Sequence, residues 1–354
     1  MRATIADIAQ LANVSKATVS AVLNDRPGIS PQTRTRILEL IKKLNYRPNE
    51  IARSLSSRKT RTIGLVIKEI DNPYFARIMK GVFDVCRERT YTVLLGSLEL
   101  SPAQERQSIE ALSSQRVGGL IISPLQGSEV DFTWLADLLR DRYPLVMLGQ
   151  VKNYHTTVVD IDNVQAALQA VEYLIGLGHR DIAYFAGPSY SSHSEDRLQG
   201  YQQALMKHGL PVRPELIVQA GSDRELGYQA GLRLFSAPGL HPTAVFCYND
   251  LVAIGLINAL AELGITVPGQ VSVIGCDDLE VSRYFRVPLT TIHVPAYEIG
   301  RAAAEMVIHD LEDENGANPQ IILYEARLIA RHSCAPALPT QDKEQHHDRT
   351  PDSR

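Results

Sequence analysis

Lys16, Thr18, Ser20 and Asn24 fall within nine residues of one another, and together they can hold phosphate and read base edges. An ammonium reaches guanine acceptors, hydroxyls and a carboxamide donate to phosphate oxygens, and the small Ala17 and Ala21 between them can touch a thymine methyl. The surrounding charge suits the same chemistry. Residues 1–61 contain twelve Lys/Arg against Asp7, Asp25, Glu39 and Glu50, a net +8, while the remainder carries −12, which recovers the overall −4. A basic head on an acidic body is what phosphate binding by one part of a chain requires. A charge excess alone would equally describe a solvated face, so the order of elements has to decide.

A second set of polar and aromatic residues is scattered along the chain: Tyr74, Phe75, Ser123, Asp162, the stretch Ser189–Arg197, Asn249 and Asp277. Arg197 offers a fork of donors, Asn249 both donors and acceptors, and Asp277 an acceptor, a combination suited to a hydroxyl-rich ligand. No GxxxxGK[ST], HExxH or GxSxG motif occurs, so no catalytic residue and no metal ligand is assigned and no cofactor is expected. The adjacent Asp277 and Asp278 point apart in any regular backbone, which argues against a paired acid and base. Cys86, Cys247, Cys276 and Cys334 are far apart and form no CxxC, which reads as reduced, mostly core thiols. His346 and His347 read as tail composition.

The elements that must position these residues are legible. Thr4 is available as an N-cap, and Ile5, Ile8, Ala9 and Ala12 follow helical spacing. The pattern breaks at Ala12-Asn13-Val14, Ser15 opens a second helix with Val19, Val22 and Leu23 on one face, and Ser30-Pro31 opens a third whose stripe is Ile37, Leu40, Ile41 and Leu44. A helix, a tight turn carrying Asn and a second helix make a helix-turn-helix. Beyond Pro48, residues 49–56 are long enough for two turns of helix that would order only against a partner. Leu55, apolar among Arg53, Arg58 and Lys59, then suits a wedge into a minor-groove base step.

From residue 61 to 333 the runs TIGLVI, TVLLGS, GGLIIS, LVMLG, IAYFAG, TAVFCY and VSVIGC alternate with helical patterns such as 75–89 and 164–177. Such alternation predicts parallel sheets covered on both faces, with the second residue set at the carboxyl ends of strands, where open α/β sheets bind ligands. The last twenty residues are polar and low in apolar content, which predicts a disordered tail over 335–354. No apolar run approaches the roughly 18 residues of a membrane span, and the N-terminus lacks a signal-like apolar region. The expected location is therefore the cytoplasm, on the nucleoid when DNA is bound.

The segments TIADIAQLANVSKATVSAVLN and YRPNEIARSL resemble the head and hinge of the lac repressor/gal repressor family of bacterial transcription regulators. The resemblance continues through TIGLVIKEIDNPYFARIMKGV, VGGLIISP, GLGHRDIAYFAGP, RLQGY, PTAVFCYND, VIGCDD and PLTTIHVP, about residues 3–333 in all. It implies an all-α helix-turn-helix head (2–47) with a hinge helix and linker (48–60), joined to an α/β core like the periplasmic binding proteins. The two doubly wound parallel-sheet lobes of that core would be 61–162 plus 293–323 and 163–292 plus 324–333. It also implies a repressor that binds double-stranded, near-palindromic operator DNA as a homodimer. The DNA contacts would be Thr4, Ser15, Lys16, Ala17, Thr18, Ser20, Ala21, Asn24, Tyr46, Asn49, Ala52, Leu55 and Ser56. The effector contacts would be Tyr74, Phe75, Ser123, Asp162, Tyr190, His193, Arg197, Ser222, Asn249 and Asp277. Purine-binding members carry an aromatic platform where this chain has Ser222 and an arginine where it has Ser191, so the expected effector is a sugar, sugar acid or polyol. Control by a phosphoprotein corepressor is the alternative within the family. A sugar-binding receptor built from the body alone is disfavoured by the basic head.

Overall fold

Capping and turn chemistry decide where the first helices begin. In α1 (Ile5–Leu11) the Thr4 hydroxyl accepts from the Asp7 N–H at 3.4 Å, and the Asp7 carboxylate accepts from the Thr4 N–H at 2.8 Å. This reciprocal box satisfies donors that a helix start leaves open. The Thr4 backbone and hydroxyl bonds also hold the Asp7 carboxyl below its ordinary range. Asn13 takes the left-handed turn at φ +50°, a conformation its short polar side chain tolerates. Ser15 then accepts from the Thr18 N–H at 3.0 Å to open α2 (Lys16–Leu23). Ser30 accepts from the Thr33 N–H, with Pro31 as first residue of α3 (Pro31–Lys43). Ile8, Ala9, Ala12, Val19, Val22 and Ile37 are buried between the three helices and fix their angles.

The computed structural model describes residues 3–23, 25–46, 60–98, 101–125, 130–239, 241–313 and 318–338. The chain divides between Thr60 and Arg61 into two units. Of the head and hinge assignments, Asn24, Asn49, Ala52, Leu55 and Ser56 lie outside the described residues, as does most of the 48–60 hinge.

The second unit carries two six-stranded sheets. The first runs in the order β11 (Ile321–Tyr324), β5 (Thr157–Ile161), β4 (Leu145–Met147), β3 (Gly119–Ile122), β1 (Thr62–Ile67), β2 (Thr92–Ser97), all parallel. The second runs β12 (Arg327–Ile329), β10 (Thr290–His293), β9 (Ser272–Asp277), β8 (Ala244–Cys247), β6 (Ile182–Ala186), β7 (Ile217–Gln219). Its edge strand β12 is antiparallel to β10, so the second lobe is parallel except at that edge. Helices α4 (Pro73–Glu88), α5 (Pro102–Ser114), α6 (Thr133–Arg140) and α12 (Ala296–Glu312) belong to the first lobe. Helices α7 (Asn163–Gly176), α8 (Ser192–Lys207), α9 (Arg224–Ser236), α10 (Asp250–Glu262) and α11 (Glu280–Tyr284) belong to the second. The chain thus passes between lobes after β5, after β10 and after β11. Near-continuous burial along β1, β3, β5, β6, β8 and β9 follows from helices covering both faces.

Residues 335–338, assigned by composition to the tail, instead run along the second lobe. The Ala335 N–H donates to Ser272 Oγ at 3.1 Å and the Ala337 N–H to the Leu177 carbonyl at 2.8 Å. Residues 339–354 lie outside the described residues. All four cysteines are unpaired, and three of them are buried. Among the described residues no helix is long and apolar enough to cross a membrane.

Close approach of α7 and α8 sets the position of the second helix, which carries two cleft residues. A Cβ at Gly200 would lie 2.2 Å from the Val164 carbonyl oxygen and 2.8 Å from Ala167 Cβ. Gly200→Ala is therefore expected to push α8 outward and destabilise this lobe by about 1–3 kcal/mol, the usual cost of overpacking. Urea unfolding followed by circular dichroism measures it, and an unchanged midpoint would mean that the contact is slack.

Candidate functional site

In the first unit, Lys16 and Ala17 are exposed at the start of α2, and Thr18, Ser20 and Ala21 are half-buried along it. Val19 and Val22 face the core instead. The hydroxyls of Thr4, Ser15 and Thr18 have local partners: Thr4 closes the box with Asp7, and Ser15 and Thr18 bond each other at 2.9 Å. Their geometry is that of helix starts, which aims backbone N–H groups outward from the same turn. Tyr46 is half-buried against the head core, and its N–H donates to the Ile41 carbonyl.

In the second unit a cavity of about 470 Å³, its mouth included, lies between the lobes. The first lobe supplies Lys68, Glu69, Asn72, Tyr74 and Phe75 from the β1–α4 connection. The second supplies Pro188, Tyr190 and Ser191 after β6, His193 and Arg197 on α8, Ser222 after β7, Tyr248 and Asn249 after β8, and Asp277 at the end of β9. These are carboxyl ends of parallel strands, where diverging connections leave a crevice. Two expected residues are not among the lining. Ser123 is buried after β3, with its N–H donating to the Val66 carbonyl. Asp162 is exposed, and its carboxylate caps α7 by accepting from the Gln165 N–H at 2.9 Å.

The lobes are tied across the cleft by side chains. Ser222 donates to Glu69 at 3.0 Å, and Asn72 Nδ2 donates to the other Glu69 oxygen at 3.1 Å. His193 Nε2 lies 2.8 Å from Asp160 Oδ2, both groups buried, while Asp160 Oδ1 accepts from the Ile161 N–H at 2.8 Å. His193 is thus a buried residue of α8's first turn, whereas position in a polar serine-rich stretch suggests a solvated loop. Burial would raise the Asp160 carboxyl, but His193, the Ile161 N–H and Arg197 outweigh it and hold the carboxyl below its ordinary range. Lys152 and Glu195 meet at 2.7 Å in an exposed pair worth little.

Arg197 is 5% exposed. Its Nε donates to Asn163 Oδ1 at 2.9 Å, Nη1 donates to the Tyr248 carbonyl, and the guanidinium lies 5.0 Å from the Tyr248 ring centroid. The simple alternative for this arginine, an ion pair with Asp277, is not what forms. Asn249 caps α10, accepting from the Val252 N–H at 2.8 Å while Nδ2 donates to the Ser222 carbonyl at 2.8 Å. Asp277 sits at φ +121°, an unusual conformation for a residue with a Cβ, and is 8% exposed. Burial pushes its carboxyl well above the ordinary range against the opposing pull of Arg197. No hydrogen bond joins that carboxyl to another side chain among the described residues. The neighbouring Asp278 turns away, toward His293 at 2.9 Å and Arg331 at 2.5 Å.

The cavity thus gathers Tyr74, Phe75, Tyr190, His193, Arg197, Ser222, Asn249 and Asp277 from the sequence reading. Lys68, Glu69, Asn72 and Tyr248 were missed there, as was Asp160 behind His193. Lys68-Glu69 reads as ordinary surface charge, and the signal that could have found it was its position directly after the apolar run TIGLVI.

Residues 4–49 match the model of bacterial regulatory proteins of the lacI family, and residues 171–334 match the periplasmic binding protein-like domain. The HTH-type transcriptional repressor PurR of Histophilus somni (strain 129Pt) is 33% identical over 331 residues, covering 94% of this chain and 98% of that protein. Among solved structures, the transcriptional regulator CelR–cellobiose complex is 30% identical with a TM-score of 0.70, over 94% of this chain and 100% of that one. The lac repressor dimer bound to operator and the anti-inducer ONPF is 26% identical with a TM-score of 0.85, over 95% of this chain and 100% of that one. With a helix-turn-helix head, a two-lobed α/β core and this likeness across nearly its whole length, the chain belongs to the lacI family of bacterial regulatory proteins and is a DNA-binding transcriptional repressor.

Proposed function

We propose that the protein is a homodimeric repressor whose grip on a near-palindromic operator is set by a small polar ligand, a sugar or sugar derivative, held between the lobes. The observation that carries this reading is the cavity itself, walled from both lobes and lined by Lys68, Glu69, Asn72, His193, Arg197, Asn249 and Asp277. Polar groups converging from two bodies give a ligand different affinity for open and closed arrangements, the only means by which it can shift an equilibrium. Ser222 and Ser191 support a carbohydrate over a purine. They hold Glu69 and Tyr248 with hydroxyls and provide neither a stacking ring nor a guanidinium. The cellobiose in the CelR complex and the operator-bound dimer of the lac repressor support the same reading.

In the head, Lys16, Ala17, Ser20 and Ala21 of α2 would enter the major groove, once per half-site, as two-fold symmetry requires. The hinge segments would meet in the central minor groove with Leu55 as wedge. The site of action is the cytoplasm, where operator DNA lies. Thermal-shift screening of neutral sugars, polyols, sugar acids and nucleobases tests the ligand, because a tight one raises apparent stability by mass action. Stabilisation by one carbohydrate class that also changes operator affinity is expected. Stabilisation by nucleobases alone would overturn the carbohydrate reading.

A further inference from the structure

Every acidic or basic side chain on the cavity wall but two has a hydrogen-bonded protein partner among the described residues. Glu69 holds Ser222 and Asn72, His193 holds Asp160, and Arg197 holds Asn163 and the Tyr248 carbonyl. The exceptions are Asp277 and Lys68. Lys68 follows β1 directly, is 6% exposed and lines the cavity. No hydrogen bond, and no ion pair within 4.0 Å, joins its ammonium to any described residue. Asp160, Glu105 and Glu69 act on it only from beyond that reach. Their charges oppose the effect of burial on the ammonium without any of them making a hydrogen bond or close ion pair with it, and burial pushes the Glu105 carboxyl up to about 7.

An ammonium out of water with no hydrogen-bonded partner among the described residues is costly unless an anion meets it. A neutral hydroxyl could take one donor but would not form a close ion pair with the ammonium. We propose that the ligand of this cleft is an anion, a hydroxylated carbon skeleton bearing a carboxylate or a phosphate ester, with the anionic group against Lys68 and hydroxyls toward Asp277. This rests on the reading that a small polar ligand fills the cleft. Burial lowers the Lys68 ammonium to about 8, which still leaves it mostly charged at neutral pH, when the anion must be bound.

The test uses the full chain and Lys68→Met. Without ligand, Lys68→Met is expected to raise the thermal midpoint by about 2 °C or more, because it removes a buried charge with no hydrogen-bonded or close ion-pair partner among the described residues. A lowered midpoint would make Lys68 a structural ion-pair residue and overturn the proposal. Calorimetric titration then compares D-gluconate, glucose 6-phosphate and inorganic phosphate with neutral D-glucose and sorbitol. At least one anionic probe is expected to bind the unsubstituted protein about tenfold tighter than its neutral counterpart, with that preference lost in Lys68→Met. The gluconate and phosphate arms distinguish the two anion types. Equal binding of neutral and anionic sugars, or a preference that survives Lys68→Met, overturns the anion assignment while leaving a carbohydrate cleft intact. Failure of every probe on the unsubstituted protein counts against the cleft reading as well.

Discussion

Arg197→Ala is expected to silence the ligand response while operator binding survives. The guanidinium ties the start of α7, where the chain has just crossed from the first lobe, to the carboxyl end of β8. Its loss leaves Asn163 Oδ1 and the Tyr248 carbonyl without their donor in a buried setting and removes the cation from the Tyr248 ring. Leaving buried acceptors unsatisfied costs about 1–3 kcal/mol each, so the second lobe should also lose thermal stability. The head has its own core of Ile8, Val19, Val22 and Ile37 and does not depend on these contacts. Operator titration with and without a stabilising ligand measures the effect. Arg197→Lys, which keeps the charge but not the fork, should recover only part of the response. A full response in Arg197→Ala would move the ligand out of this cleft.

Leu55→Ala is expected to weaken specific operator binding by about 10- to 100-fold and random-duplex binding far less. An apolar wedge gains free energy only where a flexible base step can be opened, whereas Arg53, Arg58 and Lys59 attract any phosphate backbone. Parallel anisotropy titrations on operator and scrambled duplex separate the two contributions. Equal losses on both would remove the wedge.

The head was largely legible because its signals are local. Thr4 and Ser30-Pro31 mark helix starts, Asn13 marks the turn, and the apolar spacing around Ile8, Val19 and Ile37 assembles one core. In the body, strand ends pointed to the cleft, but a strand end does not reveal which way its side chain turns. Asp162 caps its own helix and Ser123 is buried beneath the cleft, while their neighbours Asp160 and Lys68 take part in it. β5 escaped the apolar-run reading because Asp160 interrupts TVVDI, a carboxylate whose burial is compensated by His193, 33 positions later, together with the Ile161 N–H and Arg197. The Ser222–Glu69 tie spans 153 positions and has no periodic signature. β7, β11 and β12 are too short, and too half-exposed, to stand out by hydropathy.

On the proposed function, a basic helix-turn-helix head, doubled by two-fold pairing, grips duplex DNA through its phosphates. The most direct measurement is equilibrium binding of the purified full chain to a selected operator duplex across a salt series, with stoichiometry from sedimentation. Two chains per operator are expected, with an affinity that falls with salt at a log–log slope of about −5 or steeper, as when six or more phosphates are neutralised. A monomer that ignores every duplex at low ionic strength would contradict it.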